Sequence, residues 1–140
     1  MSVVDTNVLI HSSVTTSPDH ARARAALARL SMQGPVAVSR QILREFLSAT
    51  TRPQPWAHAA TLAEATRNVN GFIRRFAILE DGQAVWDELM RLTRTVAFGG
   101  KQVHDANIVA TMLAHGETRL LTFNAADFRR FGNLIEIIAP

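Results

Sequence analysis

The sequence predicts an α/β fold in which a mainly parallel sheet is covered by helices on both faces. Two observations carry this. Short apolar runs of three to five residues alternate with longer stretches whose apolar positions recur at helical spacing. Such strands, separated by helices and buried on both sides, pair in parallel.

The elements follow in order. Ser2 to Asp5 reads as a first strand, and Thr6 to His11 as a helical turn after it. Residues from about 19 to 33 form an Ala-rich amphipathic helix, with Ser17 or Asp19 as its cap and Pro18 beside them. Gly34-Pro35 stops it. Val36 to Val38 is the second strand, and Ser39 caps a helix reaching about Ala49. Pro53 and Pro55 break the chain. A long helix is expected from about Ala57 to Arg75, with apolar residues at 62, 65, 69, 72, 73 and 76. Phe76 to Leu79 is the third strand, and Asp81 or Gly82 opens a helix to about Thr95. After the turn at Phe98-Gly99-Gly100, His104 to His115 is helical and Gly116 closes it. Arg119 to Thr122 is the fourth strand, Ala125 to Phe131 a short helix, and Leu134 to Ile138 the last strand.

The chain of 140 residues is read as one domain, residues 1–140, with one core. It has no cysteine, which excludes disulfides, thiolate metal sites and cysteine nucleophiles and fits a reducing interior. No secretory signal and no membrane-spanning run is visible, so a cytoplasmic location is expected. There are 12 acidic and 15 basic residues, and Lys101 is the one lysine among the arginines. Arginine forks bind phosphate in bidentate fashion, which suits a polyanionic substrate. A genome-wide preference for arginine would give the same composition.

Against that basic background four acids occupy four separate segments: Asp5 in Val3-Val4-Asp5-Thr6-Asn7, Glu45 in Arg44-Glu45-Phe46-Leu47, Asp105 in Val103-His104-Asp105-Ala106, and Asp127 in Thr122-Phe123-Asn124-Ala125-Ala126-Asp127-Phe128. In a parallel sheet, ligands bind beyond the carboxyl ends of the strands. Asp5 ends the first strand, Asp105 opens a helix, and Asn124 and Asp127 follow the fourth strand. Clustered carboxylates raise one another's pKa and resist joint ionisation. A hard divalent cation removes that conflict; Mg²⁺, or Mn²⁺ in its place, suits all-oxygen ligands. Thr6, Asn7, Thr122 and Asn124 add neutral groups able to orient metal-bound water or a phosphate.

Each acid also has a plain structural reading. Asp at a helix start caps free N–H groups, and Asn124 with Asp127 resembles a capping box. Glu45 lies beside the apolar face of its helix, where a carboxylate needs a partner; an ion pair to an arginine such as Arg44 would supply one. The five histidines show no metal-ligand spacing, no serine has a triad, and the glycine-rich phosphate loops are absent.

In these four segments the sequence resembles the PIN-domain nucleases, and its size and motif forms are most similar to the VapC-type toxins. The resemblance covers the whole chain. It implies a three-layer α/β/α sandwich, a Mg²⁺- or Mn²⁺-dependent endoribonuclease, an RNA substrate, a homodimer and a cognate VapB-type antitoxin. By position, Asp5, Glu45, Asp105 and Asp127 match the acidic quartet, as catalytic residues and metal ligands. Thr6, Asn7, Thr122 and Asn124 match the supporting polar positions, with Asn124 able to share the role of Asp127. Arg40, Arg44 and Lys101 are candidates for holding the RNA backbone. An amphipathic antitoxin helix is expected in a groove built from residues 19 to 75, with Trp56 as an anchor.

Two other functions fit the same fold: a free-standing PIN nuclease of RNA processing, and a non-catalytic PIN-like RNA-binding protein. A phosphatase of similar fold is disfavoured, because position 7 is Asn where its paired aspartates would require a second acid.

Overall fold

The computed structural model describes residues 1–140. The elements run β1 (Ser2–Val4), α1 (Thr6–Ser13), α2 (His20–Gln33), β2 (Val36–Ser39), α3 (Arg40–Thr50), α4 (Leu62–Arg75), β3 (Ala77–Leu79), α5 (Gln83–Thr95), α6 (Gln102–Ala114), β4 (Arg119–Leu121), α7 (Ala125–Phe128) and β5 (Glu136–Ile138). A short 3₁₀ turn, Arg129–Phe131, follows α7.

All five strands are parallel, in the order β3-β2-β1-β4-β5. The chain therefore winds outward from β1 in one direction to β3, then crosses back to β4 and β5. Right-handed crossovers put the helices of the first half on one face and those of the second half on the other. The packing agrees: α1, α2, α3 and α4 contact one another, and α5, α6 and α7 form a separate layer. The result is the expected three-layer α/β/α sandwich. Its core joins β1, β2 and β4 to the inner helix faces, with Val4, Phe46, Ile42, Leu120 and Val109 out of contact with water. The reversal of winding lies between β1 and β4, the position where open sheets form a ligand crevice.

Several boundaries differ from the sequence expectation. The long helix starts at Leu62, not Ala57. Thr61 and Glu64 form a reciprocal capping box there, and Ala57 and Ala60 are tied back to Gln54 and Thr50 through their backbone N–H groups. Helix α1 runs to Ser13, longer than one turn. Helix α6 begins at Gln102, whose side chain accepts from the Gly99 N–H. The last strand shortens to residues 136–138, because the N–H groups of Leu134 and Ile135 turn back to the Phe131 carbonyl. Asp19 makes no side-chain cap; Ser17 instead accepts from the Asp19 N–H. No helix is long and apolar enough to cross a membrane.

Candidate active site

The register of β1 and β4 pairs Val4 with Leu121, so the next residues, Asp5 and Thr122, stand side by side beyond the strand ends. The Asp5 N–H donates to the Leu121 carbonyl at 2.9 Å. The Asp5 carboxylate caps α1 by accepting the Thr6 N–H at 2.7 Å. Its other oxygen accepts the Thr122 hydroxyl at 2.7 Å and the Asn7 amide at 3.1 Å. The Thr122 hydroxyl oxygen in turn accepts from the Asn124 N–H at 3.0 Å, and Asn7 Oδ1 accepts from the Phe123 N–H at 3.1 Å. Thus the segment after β1 is fixed to the segment after β4 through neutral donors.

Glu45 reaches the same place from α3. The Thr6 hydroxyl donates to its Oε2 at 2.7 Å, and the Gln41 amide to its Oε1 at 2.8 Å. Gln41 lies four residues earlier on the helix, on the same face. Its amide also donates to the His104 carbonyl at 2.8 Å, and its oxygen accepts from Asn107 at 2.8 Å. This link ties α3 to the first turn of α6, which carries Asp105. Gln41 is buried, so its three hydrogen bonds fix both helices.

Asp5, Glu45 and Asp105 line one cleft of about 340 Å³, together with Thr6, Asn7 and Asn124. Asp127 is exposed and lies outside the lining, but its charge acts on Asp105. Only 6% of Asp5 is exposed. Burial pushes its carboxyl above the ordinary range, aided by Glu45 and opposed by the Thr122, Thr6 and Asn7 donors. Asp105 is pushed up to about 6, first by burial and then by the charges of Asp5, Asp127 and Glu45; Arg130 pulls the other way.

The plain structural readings fare unequally. Asp5 does cap a helix. Asn124 makes no side-chain cap, so the capping box with Asp127 does not form. Glu45 pairs with no arginine: none of the chain's ion pairs includes any of the four acids. Arg40 is held in a fork on Glu80, at 3.1 and 2.7 Å. Arg44 and Lys101 are exposed and do not line the cleft. The cation that does is Arg52, which sequence reasoning missed, as it missed Gln41 and Asn107.

As the side chains stand, no three His, Asp or Glu converge closely enough to hold a metal ion by themselves. The donor set still fits Mg²⁺ or Mn²⁺. The acids, the hydroxyl and the amides all offer oxygen, none of the carboxylates is ion-paired, and Mg²⁺ takes only one or two carboxylates directly and keeps several waters.

Comparisons with known proteins identify the class. The family model described as "PIN domain" matches residues 2–134, and the chain belongs to that family. Its relatives narrow the likeness. It is 29% identical over 138 residues to Ribonuclease VapC24 of Mycobacterium tuberculosis, covering 94% of this chain and 92% of the relative. Ribonuclease VapC48 of the same organism is 28% identical over 130 residues, covering 91% and 89%. Among solved structures, M. tuberculosis VapC20, described as a sarcin-ricin loop cleaving toxin, superposes with a TM-score of 0.71 over 100% of both chains at 14% identity. Rickettsia felis VapBC2 bound to promoter DNA gives 0.69 at 18% identity, over 99% of this chain and 97% of that one.

Proposed function

We propose that this chain is a metal-dependent endoribonuclease, the toxin of a VapBC-like toxin–antitoxin pair. The observation that carries the reading is the gathering of Asp5, Glu45 and Asp105 in one cleft at the winding reversal of the sheet, with Asp5 and Glu45 hydrogen-bonded only by neutral groups. Three carboxylates so placed repel one another, and a divalent cation is what relieves that repulsion. The ribonuclease names of the relatives supply the substrate class.

In this reading Asp5 and Asp105 hold the cation, with Glu45 or Asp127 joining directly or through water. A divalent cation held there would supply charge neutralisation at the phosphate and a more acidic water. Asp5 cannot swing away, because Thr6, Asn7 and Thr122 hold both its oxygens. Glu45, fixed by Thr6 and Gln41, or Asp127 at the rim, orients the attacking water and takes its proton. Asn7 and Asn124 orient the phosphate without adding charge. Arg52, rather than Arg40, holds the RNA backbone at the cleft.

The antitoxin belongs to the same proposal, supported by the toxin–antitoxin complexes among the similar folds; the homodimer is what the family resemblance implies. A groove of about 210 Å³ between α1, α2 and α4 supports a seat for an antitoxin segment. Leu27, Ala28 and Phe72 are its apolar lining, and Arg24 and Arg75 its charges. Trp56 does not line this groove.

The test is incubation of purified, antitoxin-free protein with total RNA and Mg²⁺, beside D5N and EDTA controls. Discrete fragments that vanish in both controls support the reading. Intact RNA throughout, with folded protein that binds Mg²⁺, overturns it.

A further inference from the structure

Beyond the acidic cleft, along the groove between α1 and α3, lies a second cavity of about 330 Å³. It is bounded by Ile10 and Val14 near the end of α1, Thr50 at the end of α3, Trp56 in the following segment, and Asn68 on α4. The two spaces share Ile10 and Arg52. At about 1.5 Å per residue, Ile10 lies roughly 7 Å from Asp5 along α1, a distance on the order of one nucleotide step in an extended strand. We propose that this cavity receives an unstacked nucleobase of the RNA, one or two nucleotides from the phosphate at the acids. The inference rests on the ribonuclease reading above.

The indole of Trp56 is the stacking surface. It is braced by His11, whose ring centroid lies 5.3 Å away. His11 meets Phe123 edge-on at 4.9 Å and is held at Nδ1 by the Ser17 hydroxyl at 2.7 Å. Phe123 is the residue after Thr122, so the ring row starts at the wall of the acidic site. Burial pushes the pKa of His11 down, which favours the neutral ring in this row. Trp56 is half-buried and borders another hollow beside Pro53 and Pro55, so indole surface is open to a ligand. An open ring beside polar side chains suits a splayed base, which stacks on an aromatic face and offers its edge for hydrogen bonds.

Arg52 supplies the connection. It stands at the junction of the two spaces, is exposed, and forms no ion pair; its Nε donates to the Ser48 carbonyl at 3.1 Å. A guanidinium there can take the phosphate joining the base at Trp56 to the nucleotide at the acids. Continuity with the cleft through this cation favours RNA over a protein segment.

The test uses the full-length chain with D5N, so that RNA is bound and not cut, and W86F, which leaves Trp56 as the only indole. A single-stranded oligoribonucleotide carrying the cut site is titrated while Trp56 fluorescence is followed. An abasic nucleotide is then walked along the strand, with binding read by the anisotropy of a dye on the RNA, in this protein and in the same protein with W56A. We expect the indole emission to be quenched on binding. One abasic position should weaken binding about five- to a hundredfold in the Trp56 protein, the range for losing one base–aromatic stack, and W56A should abolish that sensitivity. The inference is overturned if RNA binds without quenching, or if the abasic profile is the same with and without Trp56. It is also overturned if W56A weakens only antitoxin binding, which would give the cavity to the protein partner. If wild-type protein cleaves no RNA and D5N binds none, the ribonuclease reading fails and this inference with it; cleavage with an unchanged abasic profile removes this inference alone.

Discussion

Asp5 and Glu80 occupy equivalent places and meet opposite fates. Each is the residue immediately after a strand of the same parallel sheet, β1 and β3. Glu80 stands at the sheet edge, exposed and forked to Arg40, whose guanidinium holds its carboxyl below the usual range. Asp5 stands at the centre, where β1 lies between β2 and β4. It is buried, has neutral donors only, and is pushed up by burial and by Glu45. A carboxylate paired with a cation needs nothing further. One that is desolvated beside other carboxylates and given only hydroxyl and amide partners is incomplete until a cation arrives. Glu45 shares the neutral donors of Asp5, and Asp105 its burial and its repulsion by neighbouring carboxylates; neither is ion-paired as Glu80 is.

The sharpest way to break this contrast is to neutralise each acid in turn. D5N is expected to lower the rate of RNA cleavage by more than about a hundredfold, since even outer partners of a metal site are worth ten to a hundred. It should fold normally, and without metal it should melt at a higher temperature than the parent, because a repelled buried charge is gone. Cleavage assays beside thermal unfolding in EDTA would read both. Substantial retained Mg²⁺-dependent activity would remove Asp5 from the site. T122V keeps the side-chain shape and deletes the hydroxyl that holds Asp5. It should cost about ten- to a hundredfold in activity or metal affinity, together with about 1 kcal/mol of stability from a lost buried hydrogen bond, measurable by urea unfolding.

How far these groups could be found from sequence follows from how local their signals are. Asp5, Thr6 and Asn7 form a run directly after a strand, and Thr122 and Asn124 another, so strand ends and turn chemistry point to both. Parallel pairing then brings them together. Gln41 carries no comparable signal: it binds His104 and Asn107 across 63 and 66 residues, and a glutamine on a helix looks like any surface residue. Arg52 follows a helix end and reaches the cleft only because α3 packs on α1. The start of α4 is a different matter. Thr61-Leu62-Ala63-Glu64 is a capping-box sequence in plain view, but the alanines before it are good helix formers and hide the boundary. Tertiary hydrogen bonds at Ala57 and Ala60 override that propensity.

The next effect is smaller and concerns pH. Asp105 moves from an ordinary 3.8 to about 6 in the fold. Between those values the folded chain keeps a proton that the unfolded chain has lost, so this group's contribution to stability falls as pH rises through the window. Surface acids such as Glu80 act in the opposite sense, so the comparison has to be made against D105N. In EDTA, the melting temperature of D105N should gain on that of the parent as pH rises from about 4 to about 6, then keep a constant lead. Mg²⁺ should stabilise the parent above pH 6 more than it stabilises D105N. A difference independent of both pH and Mg²⁺ would mean that Asp105 is not repelled by its neighbours.

The smallest effect tests the other side of the contrast. Exposed ion pairs contribute little to stability, so R40A is expected to leave the unfolding midpoint and the cleavage rate close to those of the parent. R52A removes the unpaired cation at the cleft. It should raise KM for RNA while leaving the fold intact, and its binding should depend less steeply on salt, because one phosphate contact is gone. Steady-state cleavage at several salt concentrations separates the two arginines. If R40A weakened RNA binding as much as R52A, the Glu80 fork would be a resting state that RNA opens. The edge of the sheet would then belong to the substrate surface together with its centre.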